Sequence, residues 1–549
     1  MGIYDEKPWL ALYDQGTPHH IEREFDSALD MFRSSVRRAP DRPLIHYFDR
    51  TLTVAEVDRL SDELAVGFQE LGFRPGDRVA AYLQNVPQFV LTMLAAWKAG
   101  GILVSLNPML RHREVETILA DSGASMLVAL ESLYHDVARE VVPKTQVKSV
   151  VTTSELDLLE TVPPALRASR RQPSPDSVDL MELVRRCAGR RPAAVALGPD
   201  DVAFLTYTSG TTGPPKGAMN THANVVFNSQ TYRRWMRLDE SDVVLGVAPL
   251  FHITGLIAHI TIALLIPIPL VLYYRFDAGL TGEMIESRRC TFTVGSITVF
   301  IALLNSEEAR KRDLSSLRKI YSGGAPIAPP TVDAFREAFG TYIHNIYGLT
   351  EATGPSHAVP FDREAPVDPT SGALAVGVPV FDTRVRVVDD RRNDLPPGEL
   401  GEIVIQGPIV VPGYWNKPEE TVHAMPGGAL HTGDIGFMDE QGWFYVVDRK
   451  KDMIIASGYK VWPREVEDVL YAHPAVLEAA VVGVPDAYRG ETVKAFVSLR
   501  AGQEVEPAEL IAFCKERMAA YKRPTHVDVL PELPKTASGK ILRRELRGR

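Results

Sequence analysis

Between Arg78 and Leu130 the chain repeats one pattern: a short apolar run, a helix-length stretch, then another apolar run. "RVAAYL" (Arg78–Leu83), "ILVSL" (Ile102–Leu106) and "SMLVAL" (Ser125–Leu130) are almost uniformly apolar instead of alternating. Strands covered on both faces read this way, whereas a strand with one wet face alternates. The intervening "VPQFVLTMLAAWKAGG" reads as a helix stopped by Gly100 and Gly101, and "REVETILADSG" has helical spacing. Parallel strands need crossovers of about this length, and such crossovers are right-handed, so the pattern predicts a doubly wound layer. A chain of 549 residues has room for more than one.

Further along, Phe204 to about Val380 again mixes strands and helices, and "TRVRVVDDRRNDLPPGELGEIVIQG" alternates with turn signals as an antiparallel β region would. The stretch from Thr161 to Asp200 is rich in Pro, Arg and Ser and reads as an exposed connection, solvated or serving as a basic docking patch. From Asp448 the order is strand, strand, helix, strand, then "TVKAFVSLR" as a strand, "EPAELIAFCKERMAAY" as a helix, and a polar tail. That is a small second unit with its own βαβ pattern, joined at "DRKKD". The fold class expected is α/β: a large N-terminal domain of doubly wound, mostly parallel sheets plus a β region, followed by a small α+β C-terminal domain.

Composition excludes several classes. Sixty Lys and Arg stand against 70 Asp and Glu, a net charge of −10, which argues against a nucleic-acid-coating protein. Cys187, Cys290 and Cys514 have no metal-like spacing, and a reducing, cytoplasmic setting fits them. The N-terminus, acidic early and without an apolar run before a cleavage site, does not read as a signal peptide. From Ile253 to Leu272 the chain has no charged residue, but Pro267 and Pro269 break it, so a helix followed by a buried strand is expected and not a transmembrane span. Peripheral membrane contact stays open.

The stretch "TYTSGTTGPPKGAMNTH" (Thr206–His222) cannot form core. A Walker loop needs Gly before its Lys and Ser or Thr after it; here Pro215 precedes Lys216 and Gly217 follows. "VAFLTYTSG" runs as a strand into the loop, so this is a strand-end turn and not a linker. Gly210 and Gly213 let backbone amides approach an anion, and Thr208, Ser209, Thr211 and Thr212 add hydroxyl donors.

Five companion motifs follow in order: "YSGGAP" (Tyr321–Pro326), "YGLTE" (Tyr347–Glu351), "HTGD" (His431–Asp434), "DRKKDMIIASGYKVWPREVE" (Asp448–Glu467) and "PKTASGK" (Pro534–Lys540). With "YTSGTTGPPKG" they resemble, in sequence and spacing, the adenylate-forming superfamily of acyl-CoA synthetases, peptide-synthetase adenylation domains and firefly luciferase. The resemblance spans the chain from its first third to its C-terminal end. It implies a two-step reaction: a carboxylate attacks the α-phosphorus of ATP, releasing pyrophosphate, and a thiol, usually that of coenzyme A, then displaces AMP.

The resemblance also implies roles. Thr208 to Gly213, with Lys216 close by, would cradle the β- and γ-phosphates. Glu351 would hold Mg²⁺ with help from Thr208, Thr350 would donate to the α-phosphate, and Tyr347 would pack on adenine. The Ser322–Pro326 stretch, through Gly323, Gly324, Ala325 and Pro326, would lie flat against adenine and acyl group. Asp434 would accept the ribose hydroxyls with support from Arg449, and Lys540 would bridge carboxylate and α-phosphate. The domains implied are 1–448 for ATP and acyl binding, a hinge at 449–451 centred on Lys451, and a mobile 452–549, in which Gly458 would leave room for the pantetheine arm.

"PLFHITG" (Pro249–Gly255) resembles the superfamily's substrate-side segment, so His252, Gly255 and Leu256 are expected along the acyl or thiol channel. No Lys or Arg is evident to hold a second carboxylate, and no Asp follows the histidine to anchor an amine. An apolar acid of medium or long chain is the first expectation and an aryl or alicyclic acid the second. A carrier-loading acyl-AMP ligase is a further alternative, although no insertion marks the hinge. The expected partners are small molecules (the acid, ATP and coenzyme A) and the expected assembly is a monomer or homodimer.

Overall fold

The computed structural model describes residues 2–208, 214–449, 452–456, 459–486, 490–536 and 541–547. Two large sheets dominate the first part of the chain. In the seven-stranded sheet the order is Val178–Asp179, Ser149–Thr153, Met126–Leu130, Arg78–Tyr82, Ile102–Ser105, Val202–Thr208 and Lys216–Thr221. All neighbours are parallel except the last pair, an antiparallel hairpin. Alternate residues of single strands enter different cores: Val79 and Ala81 pack in one, Ala80 and Tyr82 in the other. This is why the strands read as continuously apolar.

The nine-stranded sheet has a parallel centre, Ile343–Leu349, Lys319–Ser322, Phe292–Gly295, Val244–Leu245, Leu270–Leu272 and Pro43–Tyr47. Antiparallel strands close both ends. Pro43–Tyr47 comes from before the first predicted strand and reaches this second sheet across a long sequence separation. A four-stranded antiparallel sheet follows: Arg384–Val388, Gly401–Gln406, Leu430–Met438 and Phe444–Arg449.

The Ile253–Leu272 stretch is a helical segment, Gly255–Leu265, with a π-turned start, then the buried strand Leu270–Leu272. Among the described residues no helix is long and apolar enough to cross a membrane.

Three expectations need correction. The Thr161–Asp200 stretch is not simply exposed. Val178–Asp179 is an edge strand, and the helix Leu180–Arg186, capped by Asp179, buries Leu180 and Leu183. Its apolar "LMELV" was masked by flanking arginines, and Arg171 is engaged internally with Glu131, Asp157 and Asp179 at 2.6–2.8 Å. The C-terminal sheet is βαβ only in part: Gly490–Leu499, the helix Pro507–Lys515 and the parallel strand His526–Val529 form one such unit, whereas Tyr459–Val461, Ile454–Ala456, Gly490–Leu499 and Val476–Asp486 pair antiparallel. Finally, the polar tail is built in, since it supplies that last strand and fully buried Leu533 and Leu546.

Candidate active site

The site starts from the antiparallel hairpin at the edge of the seven-stranded sheet. Thr208 ends one strand and pairs with Lys216 at the start of the next. Ser209, Gly210, Thr211, Thr212 and Gly213 lie outside the described residues. The base of the hairpin is anchored from two sides. The Tyr207 hydroxyl donates to Asp121 Oδ2 at 2.7 Å, and Lys417 Nζ is 2.9 Å from Oδ1 of the same carboxylate. Alongside Lys216–Thr221 runs the segment Gly413–Trp415, with Trp415 N donating to Gly217 O at 2.8 Å and Met219 N to Gly413 O at 3.0 Å.

The same hairpin leads into the helix His222–Trp235, and the two together fix the turn that carries Glu351. Asn220 Nδ2 donates to Thr350 O at 3.0 Å and to Thr353 Oγ1 at 2.9 Å. Asn228 Nδ2 reaches Ala352 O at 3.4 Å, and Val411 N donates to Glu351 O at 2.9 Å. Asn224 caps its own helix through Thr221 and holds Pro408 O at 2.8 Å, in the loop that leads to Val411. Four consecutive residues are therefore pinned. This explains why buried, β-branched Thr353 sits at φ +55°, a conformation costing about 1–3 kcal/mol that persists only where its surroundings dictate it.

On this turn the Glu351 side chain meets Tyr414, whose hydroxyl donates to Oε1 at 2.8 Å. Burial, and then the neighbouring Glu351 charge, push the Tyr414 phenol well above its ordinary range, so it stays a donor. Lys216 Nζ sits 5.2 Å from the Tyr414 ring centroid. Sequence reading missed Tyr414, Asn220 and Asp121. The available signal was "VPGYWNKPEET", an aromatic pair in a Pro- and Gly-rich loop.

Gly323 to Pro326 leave the C-terminal end of the Lys319–Ser322 strand as a partly exposed loop. A Cβ on Gly323 would come 2.4 Å from Ile346 O, so only glycine lets this loop lie against the neighbouring strand. That strand carries half-buried Tyr347, whose hydroxyl donates to Asp434 Oδ2 at 2.5 Å. Asp434 is buried in Leu430–Met438 and lies directly opposite Arg449 in the pairing register. Beneath Tyr347 is His357, its ring 5.5 Å from that of Tyr347 and 4.8 Å from that of Phe444. Burial pulls His357 down to about 3, so it is neutral.

The structure thus gathers Thr208, Lys216, Thr350 and Glu351 on one side, and Tyr347 with Asp434 on the other. The substrate-side segment has a different local role. Gly255 packs so closely that a Cβ would sit 2.2 Å from Pro249 O, and Leu256 is fully enclosed in the core. His252 is half-buried, with Nδ1 3.2 Å from Thr254 Oγ1. Lys451, Gly458 and Lys540 lie outside the described residues.

Compared with known proteins, residues 32–415 match the family described as AMP-binding enzyme, and residues 465–540 match its C-terminal domain. The chain belongs to the AMP-binding enzymes. The first match contains the hairpin, the Gly323–Pro326 loop, the Glu351 turn and Tyr414, and the second ends on Lys540. Among curated relatives, a long-chain-fatty-acid–CoA ligase of Bacillus subtilis is 36% identical over 99% of this chain and 98% of its own. A feruloyl-CoA synthase of an Amycolatopsis species is 37% identical over 93% and 97%. Among solved structures, an anthranilate CoA ligase in complex with anthranoyl-AMP superposes with a TM-score of 0.85, at 26% identity over 97% of each chain.

Proposed function

We propose that this AMP-binding enzyme is an ATP-dependent acyl-CoA ligase that activates an apolar carboxylic acid, a medium- or long-chain fatty acid first among them. The observation that carries the reading is the pinned Thr350–Thr353 turn, which sets Glu351 beside Tyr414 and the Lys216 cation at the mouth of the Thr208 hairpin. In the first step a carboxylate oxygen bonds to the α-phosphorus of ATP and pyrophosphate leaves. In the second the coenzyme A sulfur attacks the acyl carbon and AMP leaves.

Fixed donors and positive charge aimed at the phosphates lower both barriers, because they need no reorganisation as charge develops. Thr208 to Gly213 with Lys216 would hold the pyrophosphate end, and Thr350 would donate to the α-phosphate. Asp434, braced by Tyr347 and backed by Arg449, would accept the ribose hydroxyls, since one carboxylate takes two hydrogen bonds. Tyr347 and the Gly323–Pro326 loop would flank the adenine. Lys540, a compact ammonium, would bridge the acid and the α-phosphate. The small domain would then turn about Lys451 and bring the Gly458 segment over the adenylate, opening a path for the pantetheine arm. Half-buried His252 would border the acyl or thiol channel, with Gly255 and Leu256 in the packed wall behind it.

The residues fit a magnesium ion. Glu351 has one oxygen engaged by Tyr414; its other oxygen and the Thr208 hydroxyl are hard donors of the kind Mg²⁺ takes, with waters completing the shell. When bound, the ion would offset negative charge on the triphosphate.

The long-chain-fatty-acid relatives, similar over nearly the whole chain, support the fatty-acid reading. An aryl acid is the second reading, favoured by the feruloyl-CoA synthase and by the anthranoyl-AMP complex. Coenzyme A is preferred to a carrier protein because these relatives are all named as CoA ligases or synthases. The protein is further read as a cytoplasmic monomer or homodimer that touches membranes at most peripherally. Pyrophosphate release across straight-chain, branched and aryl acids, with and without coenzyme A, tests the reading. Turnover with a straight-chain acid that requires coenzyme A is expected; activity confined to aryl acids would replace the first reading with the second.

A further inference from the structure

A buried charge cluster spans the expected hinge, and the reaction outlined above makes no use of it. Asp448 lies on the strand Phe444–Arg449, one position from the register pair of Asp434. Its Oδ2 accepts the backbone N–H of Arg464 at 2.9 Å, at the N-terminal end of the helix Pro463–Tyr471, where orphan amides favour an anion. Its Oδ1 lies 3.6 Å from Arg543 Nη1. Arg543 also grips Glu467, at 2.8 Å through Nη2 and 3.2 Å through Nε, and is 3.5 Å from Asp452, which Arg547 holds at 2.6 Å. A second contact crosses between the units: Arg464 Nη2 donates to Ile327 O at 3.3 Å, just past the Gly323–Pro326 loop.

The cluster connects two places that matter for Lys540 and Asp434. Arg543 follows Lys540 by three residues, and the base of that stretch is closed, with Lys535 bridged to Ile541 and Leu542 N donating to Pro534 O at 2.8 Å. Arg464, Glu467 and Arg543 all lie beyond 449–451 in sequence, whereas Asp448 lies before it. A turn of the small domain about Lys451 therefore carries the three together and leaves Asp448 behind. The contacts of Asp448 to Arg464 and to Arg543 must break for that turn to occur.

We propose that Asp448 is a positioning residue: it latches the helix Pro463–Tyr471 and the base of the Lys540 segment to the sheet that carries Asp434, and so sets the division of the enzyme between its two half-reactions. This rests on the acyl-CoA ligase reading. Each half-reaction is favoured by one orientation, and removing a contact made in only one orientation shifts their populations.

The test uses the full-length protein. Adenylation is read as single-turnover pyrophosphate release from acid and ATP, and thioester formation as conversion of supplied acyl-adenylate with coenzyme A. Asp448→Asn, which keeps an acceptor for Arg464 but loses the charge, should change the ratio of the two rates by about tenfold, within the range usual for coupled two-state equilibria. Arg543→Gln, which cuts the same contact from the other side, should move the ratio in the same direction. A merely structural role would lower both rates by a common factor along with the melting temperature. Unchanged ratios in both variants, or shifts of opposite sign, would overturn the proposal. Wild-type protein active in neither half would instead overturn the ligase reading and this inference with it.

Discussion

The two sides of the proposed hinge are held by different chemistry. On the large side the Glu351 turn is fixed by neutral side-chain amides, Asn220 and Asn228, together with the backbone of Val411. On the small side the contacts to Asp448 come from Arg464 and Arg543, with Glu467 and Asp452 sharing the charge. A buried amide that loses its partner is left with an unmet donor, so such a network keeps one geometry. A buried ion pair recovers much of its solvation once opened to water, and its net contribution is close to balance. Amides therefore suit a part that stays still, and ion pairs suit a part that would let go if the small domain turns as proposed.

The largest effect should come from the small side. Lys540→Ala should reduce carboxylate-dependent ATP–pyrophosphate exchange by about 100-fold or more, as removal of one transition-state donor commonly does, while thiolysis of supplied acyl-adenylate continues. Equal loss of both would remove the division between the sides. Next, Asn220→Ala should break the still side. It deletes two bonds inside a fully buried site, so a loss of about 2–3 kcal/mol in stability is expected, checked by denaturant unfolding, together with a reduced kcat/KM for ATP.

Tyr414→Phe is gentler. It removes one hydrogen bond to a charged group, about 1.5–3 kcal/mol, and should raise the magnesium concentration needed for half-maximal rate. A magnesium titration of initial rates checks it.

One further effect is pH-dependent and global. Burial pulls His222 and His259 down to about 4 and His357 to about 3, from an ordinary 6.5. Below pH 6.5 the unfolded chain takes up these protons while the folded one does not, so the stability they contribute is complete above 6.5 and lost as pH falls towards 4. Melting temperature should decline across that window, and His357→Phe should flatten the decline.

Much of this was legible in the sequence. Uniformly apolar strands gave the parallel sheets, because burial on both faces leaves that signature. Of the residues the six motifs singled out, the fold brings Thr208, Glu351, Tyr347 and Asp434 into two groups. What stayed hidden depended on long-range pairing. Tyr414 follows Glu351 by 63 positions, and Asn220 precedes Thr350 by 130, so no local pattern could join them. Pro43–Tyr47 reaches the second sheet for the same reason. The buried tail was disguised by composition, since Arg543 looks solvated until Glu467 and Asp448 surround it.

The central claim is that the acid's own oxygen attacks the α-phosphorus of ATP. One measurement reaches it directly: turnover of a carboxylate labelled with ¹⁸O in both oxygens, in the presence of ATP and coenzyme A, followed by mass spectrometry of the products. Attack at the α-phosphorus leaves one labelled oxygen bridging acyl carbon and phosphorus, and thiolysis at the acyl carbon sends it out with AMP. AMP carrying one ¹⁸O together with unlabelled pyrophosphate is the expected outcome. Unlabelled AMP, or label in inorganic phosphate, would contradict it.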